Sequence, residues 1–98
     1  MSTSTTDSAI PAAQQRLADE VRRDLLAFLE QRTKSSIGAD LDLFASGLVS
    51  SLFALELVVH VENAFGVAVS GPELRLDNFR TVDAITALVI RLGGSSHG

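Results

Sequence analysis

The amino-acid sequence predicts an all-α fold: a small antiparallel helical bundle of three main helices and one short helix, with a long loop between the first two. Apolar residues recur at helical spacing in three separate segments, and connections that contain glycine divide these segments from one another. Only Val67 to Val69 has the composition of a strand, and three residues without a partner strand form no stable sheet. A helical bundle is therefore the architecture that we expect.

The first helix is predicted from about Ala12 to Arg32. Its apolar residues repeat every three or four positions with charged residues between them, which is typical of an amphipathic helix. They are Leu17, Val21, Leu25 and Phe28. A connection of 17 residues follows, from Thr33 to Val49, and it contains several apolar side chains. Because so long a connection is unusual in a compact domain, we expect it to be packed or functional.

Capping residues bound the remaining helices. The second helix is predicted from Ser51 to Phe65, and Gly66 is suited to a left-handed cap at its end. Segment 70–79 contains a Gly-Pro pair and has room only for a short turn of helix. Thr81 is a good cap for the last helix. The apolar residues of that helix are Val82, Ile85, Leu88, Val89 and Leu92.

Length and composition restrict both the domain organisation and the chemistry. A chain of 98 residues forms one domain, which we place at 11–92, between Ser/Thr/Gly-rich tails at 1–10 and 93–98 that we expect to be disordered. The absence of cysteine excludes disulfides, thiolate metal sites and cysteine nucleophiles. With only His60 and His97 as imidazoles, a histidine zinc site is not expected either.

Charge and hydropathy argue against two classes of partner. A net charge of −4 and a pI of about 4.9 disfavour binding to nucleic acid or to an anionic membrane surface. Residues 1–8 have neither the basic nor the apolar region of a signal peptide, and no apolar run has the length of a membrane span. We therefore expect a cytoplasmic protein.

The second helix has a core stripe and an opposite polar side. At about 100° per residue, the core stripe covers roughly a third of the helix circumference. It consists of Ala54, Leu57, Val58, Val61 and Phe65. Phe53, His60 and Asn63 fall on the opposite side, where we expect them to be exposed.

A second apolar strip on this helix exceeds what a single core requires. We name Leu52, Leu55 and Val59 the apolar strip; it lies at one edge of the polar side, with Glu56 and Glu62 flanking it. One interpretation is lateral packing beneath the long loop. The other is a surface that faces a partner protein, with the two acids as its charged rim.

Two serines, Ser50 and Ser51, stand where the second helix begins. Serine at that place is ordinarily a helix cap. Ser51-Leu52 open the helix, and Glu56-Leu57 follow five residues later. In this spacing the two pairs resemble the Ser-Leu and the Glu-Leu of the acyl carrier protein family, in which Asp-Ser-Leu opens the second helix. The other matches in register are Leu43-Phe44, Gly47-Leu48, Glu62, Phe65-Gly66, Thr81-Val82 and Ala84-Ile85. The resemblance covers about residues 15 to 92.

The resemblance implies that Ser51 carries a covalent 4'-phosphopantetheine, transferred from coenzyme A by a separate phosphopantetheinyl transferase that uses magnesium. It implies a carrier protein, not an enzyme, with an acyl group held as a thioester on the cofactor thiol. Its other partners are then an acyl-loading enzyme and downstream synthase or tailoring enzymes, and we expect a monomer. An anionic phosphodiester at Ser51 would lie against the positive end of the helix dipole. His60 is nine residues away, more than two helical turns, so no Ser-His-acid triad and no catalytic residue are predicted.

The sequence departs from the family pattern at two places. Ser50 stands where the family has Asp, and we assign Ser50 to capping because counting back from Glu56-Leu57 puts the modified serine at Ser51. The family's second helix is usually densely acidic, whereas here only Glu56 and Glu62 are acidic. We therefore expect partner recognition to depend more on shape and apolar contact than on electrostatic steering.

The wording Phe-Ala-Ser-Gly-Leu-Val-Ser-Ser-Leu-Phe-Ala-Leu is similar to that of small discrete carriers of natural-product pathways. The group it resembles most carries glyceryl and then alkoxymalonyl or hydroxymalonyl units for polyketide extension, and Asp77-Asn78-Phe79 also resembles that group. A discrete aminoacyl or peptidyl carrier is the alternative within the family. A helical interaction module without a cofactor is the alternative outside it. The missing base disfavours a small hydrolase.

Overall fold

A computed structural model of the chain describes residues 12–93, which contain four α-helices and one turn of 3-10 helix. The elements are α1 (Ala12–Thr33), α2 (Ser51–Phe65), the 3-10 turn (Gly71–Glu73), α3 (Leu76–Phe79) and α4 (Val82–Arg91). These residues contain no strand, so the all-α prediction is confirmed. The tails expected at 1–10 and 93–98 lie outside the described residues, apart from Gly93. Within 12–93, no helix combines the length and apolarity that crossing a membrane requires.

The helix ends confirm the capping residues inferred from the sequence. Ser50 Oγ accepts a hydrogen bond from the backbone N–H of Phe53 at 3.1 Å, and Gly66 ends α2 in the left-handed region at a φ of 66°. Thr81 Oγ1 accepts from the backbone N–H of Ala84 at 2.9 Å. The end of α1 differs, because Lys34 takes the left-handed position at a φ of 59° without being glycine. The sequence pattern contained no signal for that conformation.

The helices and the long loop share one apolar core. Its fully covered side chains include Phe65, Leu25, Leu29, Leu43, Leu57, Ile85, Leu88, Val21, Val61, Val82 and Val89. The predicted burial of Leu57, Val61 and Phe65 together with residues of the first and last helices is therefore confirmed. Two members of the predicted stripe, Ala54 and Val58, are only partly buried.

The long connection is packed, as its length predicted. Ile37 and Val49 are buried in the core together with Leu43. The backbone N–H of Leu43 donates to the carbonyl oxygen of Arg80 at 2.7 Å, and the N–H of Asp83 donates to the carbonyl oxygen of Ala39 at 3.0 Å. These bonds tie the loop to the start of α4.

Side-chain contacts show that α1 runs antiparallel to α2. Arg32, near the end of α1, contacts Glu56 in the first half of α2, whereas Asp24, two turns earlier, contacts His60 further along α2. The start of α2 therefore lies beside the end of α1. This arrangement places Ser51 next to the loop that connects the two helices.

Candidate functional site

Ser51 is the first residue of α2 and is exposed. The preceding residue, Ser50, has extended backbone angles and supplies the capping hydroxyl to the N–H of Phe53. Because Ser50 caps the helix, the Ser51 hydroxyl is not needed for that role. The two adjacent serines therefore differ in the structure: Ser50 caps the helix, and the Ser51 hydroxyl does not.

A tight turn fixes where the chain enters α2. Asp42 Oδ1 accepts hydrogen bonds from the backbone N–H groups of Phe44 at 3.1 Å and Ala45 at 2.9 Å, which is an Asx-type turn. Gly47 follows at a φ of 81°, a conformation that favours glycine. The N–H of Val49 then returns to the carbonyl oxygen of Leu43 at 3.1 Å. The backbone immediately before Ser50 is therefore held in place by its own hydrogen bonds.

The start of α2 has the donors that a phosphate ester requires. The N–H of Phe53 is capped by Ser50, and the N–H of Ala54 donates to the carbonyl oxygen of Ser50 at 3.0 Å. The N–H groups of Ser51 and Leu52 receive no partner from the rest of 12–93. Two free N–H groups at the positive end of a helix suit an anionic ester on the adjacent hydroxyl. The residues present therefore fit a phosphate-linked group on Ser51.

Within 12–93, the start of α2 has neither a metal-binding cluster nor a histidine beside Ser51. Across the described part of the chain, no cluster of three or more His, Asp or Glu side chains is placed to hold a metal ion. His60 lies on another side of α2, with Nε2 at 2.7 Å from Asp24 Oδ1 and its ring stacked on Phe28 at a centroid distance of 3.9 Å. It is thus engaged by α1 and is not beside Ser51.

The apolar strip is exposed. The exposed fractions are 75% for Leu52, 61% for Leu55 and 55% for Val59. More than half of the surface of each residue is exposed, so the interpretation that the strip packs beneath the long loop is wrong. Side chains of this kind, grouped on one side of a helix, form an apolar surface that is open to another molecule.

Two residues of the apolar strip, Leu55 and Val59, line a concavity between α1 and α2. This concavity has a volume of about 460 Å³. Its lining residues are Phe28, Arg32, Leu55, Glu56, Val59 and His60. Arg32 Nη1 lies 2.6 Å from Glu56 Oε1, and the Arg32 guanidinium lies over the rings of Phe28 and Phe53 at 5.1 and 5.5 Å. The concavity therefore includes side chains of both α1 and α2.

The packing of α1 against this side of α2 shows that three predictions from the sequence were wrong. Phe53 and His60 were expected to be exposed, but both are partly buried because α1 covers that side of α2. Phe28 was expected in the core, but it is only partly buried and stacks on His60. Asn63 is exposed as predicted.

The two acids beside the apolar strip differ in their environment. Glu56 is exposed and paired with Arg32. Glu62 is partly buried, and its Oε2 accepts a hydrogen bond from the backbone N–H of Val69 at 2.7 Å. Glu62 therefore also supports the segment that follows α2.

The sequence analysis did not predict that α1 and the segment around α3 line grooves beside the apolar strip. Phe28 and Arg32 are four residues apart and share one side of α1, which was the available signal. Leu74 and Leu76 are half-exposed apolar residues that line a second groove of about 180 Å³ with Leu55. Their neighbours in sequence offered no pattern that would identify such a groove.

A comparison with protein families agrees with this geometry. The model of the family described as "PP-binding: Phosphopantetheine attachment site" matches residues 19–89, more than half of the 98-residue chain. The matched range contains all of α2, both serines at its start and the loop before them. Domains of this family are attachment sites for covalent 4'-phosphopantetheine, typically non-catalytic carriers that a phosphopantetheinyl transferase modifies and that acyl-handling enzymes use. The chain, an all-helical bundle with an exposed serine opening α2, belongs to the phosphopantetheine-binding family of carrier domains.

Proposed function

We propose that Ser51 carries the 4'-phosphopantetheine and that the protein presents an acyl group to the enzymes of a polyketide or related biosynthetic pathway. The observation that carries this proposal is the division of roles between the two serines. Ser50 caps α2, whereas the exposed Ser51 hydroxyl stands beside two free backbone N–H groups. The bound group would supply a thiol, which the chain itself lacks, as the point of thioester attachment.

The chain's part in its own modification is to present a hydroxyl and to receive an anion. Ser51 Oγ forms the new bond to the phosphorus of coenzyme A that bears the pantetheine arm, and the pyrophosphate P–O bond at that phosphorus breaks. 3',5'-Bisphosphoadenosine leaves, and a base of the transferase takes the hydroxyl proton. The base comes from the transferase because His60, the one histidine within 12–93, lies nine residues and more than two helical turns from Ser51. The N–H groups of Ser51 and Leu52 stabilise the ester that results.

The apolar strip is proposed as the partner surface of the carrier. Leu52, Leu55 and Val59 are exposed and follow Ser51 on the same helix, so an enzyme that reaches Ser51 also reaches them. Glu56 and Glu62 are proposed as its charged rim. Since a carrier must be released by each enzyme in turn, we expect a small interface with few anchoring side chains.

We propose the glyceryl-derived or alkoxymalonyl and hydroxymalonyl units of polyketide extension as the acyl class. The support is the similarity of residues 44–55 and of Asp77-Asn78-Phe79 to discrete carriers of that group, together with the weakly acidic α2. A discrete aminoacyl or peptidyl carrier is the second candidate. Incubation of the pantetheinylated protein with a glyceryl-loading enzyme or with an amino-acid-activating enzyme, followed by intact mass, separates the two.

The test of the attachment residue is intact mass after reaction with coenzyme A and a broad-specificity phosphopantetheinyl transferase. The wild-type protein and Ser50→Ala should both gain one phosphopantetheine group, whereas Ser51→Ala should gain none. Ser50→Ala should lose about 1 kcal/mol of stability through the missing cap, which circular dichroism can follow. If Ser50→Ala remains folded and fails to gain mass, the attachment residue is misassigned. No gain in the wild-type protein would favour an interaction module without cofactor.

A further inference from the structure

Arg32 occupies the acidic part of the proposed partner surface. Its Nη1 lies 2.6 Å from Glu56 Oε1, and its guanidinium lies over the rings of Phe28 and Phe53. The apolar strip residues Leu55 and Val59 line the same concavity as this ion pair. A cation of the chain itself therefore sits where the strip meets its acidic rim.

An enzyme that acts on Ser51 and binds the apolar strip also reaches this ion pair. Glu56 lies about 7.5 Å along the helix axis from Ser51, and the apolar strip lies on the arc of the helix between them. Helix α2 contains two acids and no Lys or Arg. Because Glu62 already accepts the N–H of Val69, Glu56 is the more available acid for a partner's cation.

The pair between Arg32 and Glu56 is also easy to displace. The two side chains are 49% and 54% exposed, so solvent screens their attraction. Arg32 bonds only one oxygen of Glu56. The aromatic rings of Phe28 and Phe53 beneath the guanidinium would serve an arginine from another protein equally well.

We infer that Arg32 is a built-in competitor, which must leave Glu56 when an arginine or lysine of a partner enzyme binds there. The inference rests on the proposed function, because it concerns the surface next to Ser51. Arg32 neutralises Glu56 in the free carrier and so weakens its attraction for basic partners. In this role Arg32 determines specificity, since a partner must offer a cation that binds better than the internal one.

The experiment measures KM and kcat for the unmodified protein in pantetheinylation by a broad-specificity transferase. Arg32→Gln should lower KM about two- to fivefold, the range of an exposed ion pair, with kcat unchanged. It should also steepen the rise of KM with salt, because an anion has been uncovered. Glu56→Gln should raise KM. In the double variant, Arg32→Gln should no longer lower KM, because the acid that it uncovers is absent.

Arg23→Gln is the matched control, because it removes the same charge from an exposed position of the same helix. An equal fall of KM in this variant would show that net charge alone is responsible and would overturn the inference. A higher KM in Arg32→Gln would also overturn it, because Arg32 would then contact the transferase favourably. An unchanged KM would overturn it too, because Arg32 would then have no effect on binding. If Arg32→Gln unfolds, Glu56→Gln still tests the inference, because an unchanged KM in that variant would overturn it. A wild-type protein that gains no mass would instead contradict the proposed function.

Discussion

Two sides of α2 use similar side chains for different ends. On one side, Leu57, Val61 and Phe65 are covered completely by the core. On the other, the apolar strip keeps more than half of each side chain in solvent. Full burial of a Leu or Val side chain stabilises a fold by about 1.5–3 kcal/mol. In the strip that free energy is largely unused by the fold, and a partner that covers the strip can gain it.

A third side of the helix stands between these two. Phe53 and His60 are partly buried and stack on Phe28 of α1, and Glu56 pairs with Arg32. This side contributes packing and also lines the concavity beside the strip. The difference among the three sides lies in what covers each one, since residue type alone does not separate Leu55 from Leu57.

The largest expected effect is on the covered side. Phe65→Ala should lower the free energy of unfolding by about 3–5 kcal/mol, because it leaves a cavity in a closely packed core. It would also remove the ring edge that meets His60 at a centroid distance of 6.4 Å. Thermal or urea unfolding followed by circular dichroism measures the loss.

Leu52→Ala is the matched control for that measurement, because it truncates an apolar side chain of the same helix that is exposed. Its stability should change by no more than about 0.5 kcal/mol. Equal losses in Phe65→Ala and Leu52→Ala would contradict the contrast between the two sides.

Much of the fold could be predicted because local signals mark it. The hydroxyl of Ser50 and the left-handed Gly66 bound α2, and the 3.6-residue period of α1 and α4 marks their buried sides. The proposed attachment residue, in contrast, was assigned by register with the family pattern, counting back from Glu56-Leu57 to Ser51, because a serine at a helix start by itself predicts only a cap. Non-local packing has no local signal.

The side of α2 that faces α1 shows why the remainder could not be predicted. A helical wheel shows that Phe53 and His60 share a side, but it does not show which helix covers that side. The pairing of Glu56 with Arg32 depends on the crossing of α1 and α2 across a 17-residue loop. Likewise, Lys34 adopts a left-handed conformation that its residue type does not favour.

The exposed side is tested by a charge in the apolar strip. Val59→Asp should leave the fold unchanged within about 0.5 kcal/mol, because an exposed position tolerates charge. It should lower kcat/KM for pantetheinylation or for acyl transfer about tenfold or more, as expected for an anchoring apolar residue of a small interface. Transfer kinetics with circular dichroism as the folding control measure both.

Either of two results would reject this assignment. Unfolding of Val59→Asp would show that the residue belongs to the core. A folded variant with unchanged kinetics toward the transferase and the acyl-handling enzymes would show that the strip is no interface. Glu62→Ala should have a smaller kinetic effect that decreases at high salt, together with some loss of stability because the N–H of Val69 loses its acceptor.

The smallest expected effect concerns the one polar side chain that the described residues bury completely. Thr86 in α4 is 2% exposed, and its Oγ1 has no hydrogen-bond partner within 12–93. A buried hydroxyl without a partner costs free energy, and valine has almost the same shape. Thr86→Val should therefore stabilise the protein by about 1 kcal/mol in urea unfolding. Thr81→Val is the matched control at the cap of the same helix, because it removes a hydroxyl that accepts from the N–H of Ala84, and it should cost about 1 kcal/mol. Opposite changes in stability would show that in α4, as in α2, the surroundings of a side chain decide its contribution more than its residue type. A loss of stability in Thr86→Val would instead mean that its hydroxyl bonds the preceding turn of the helix.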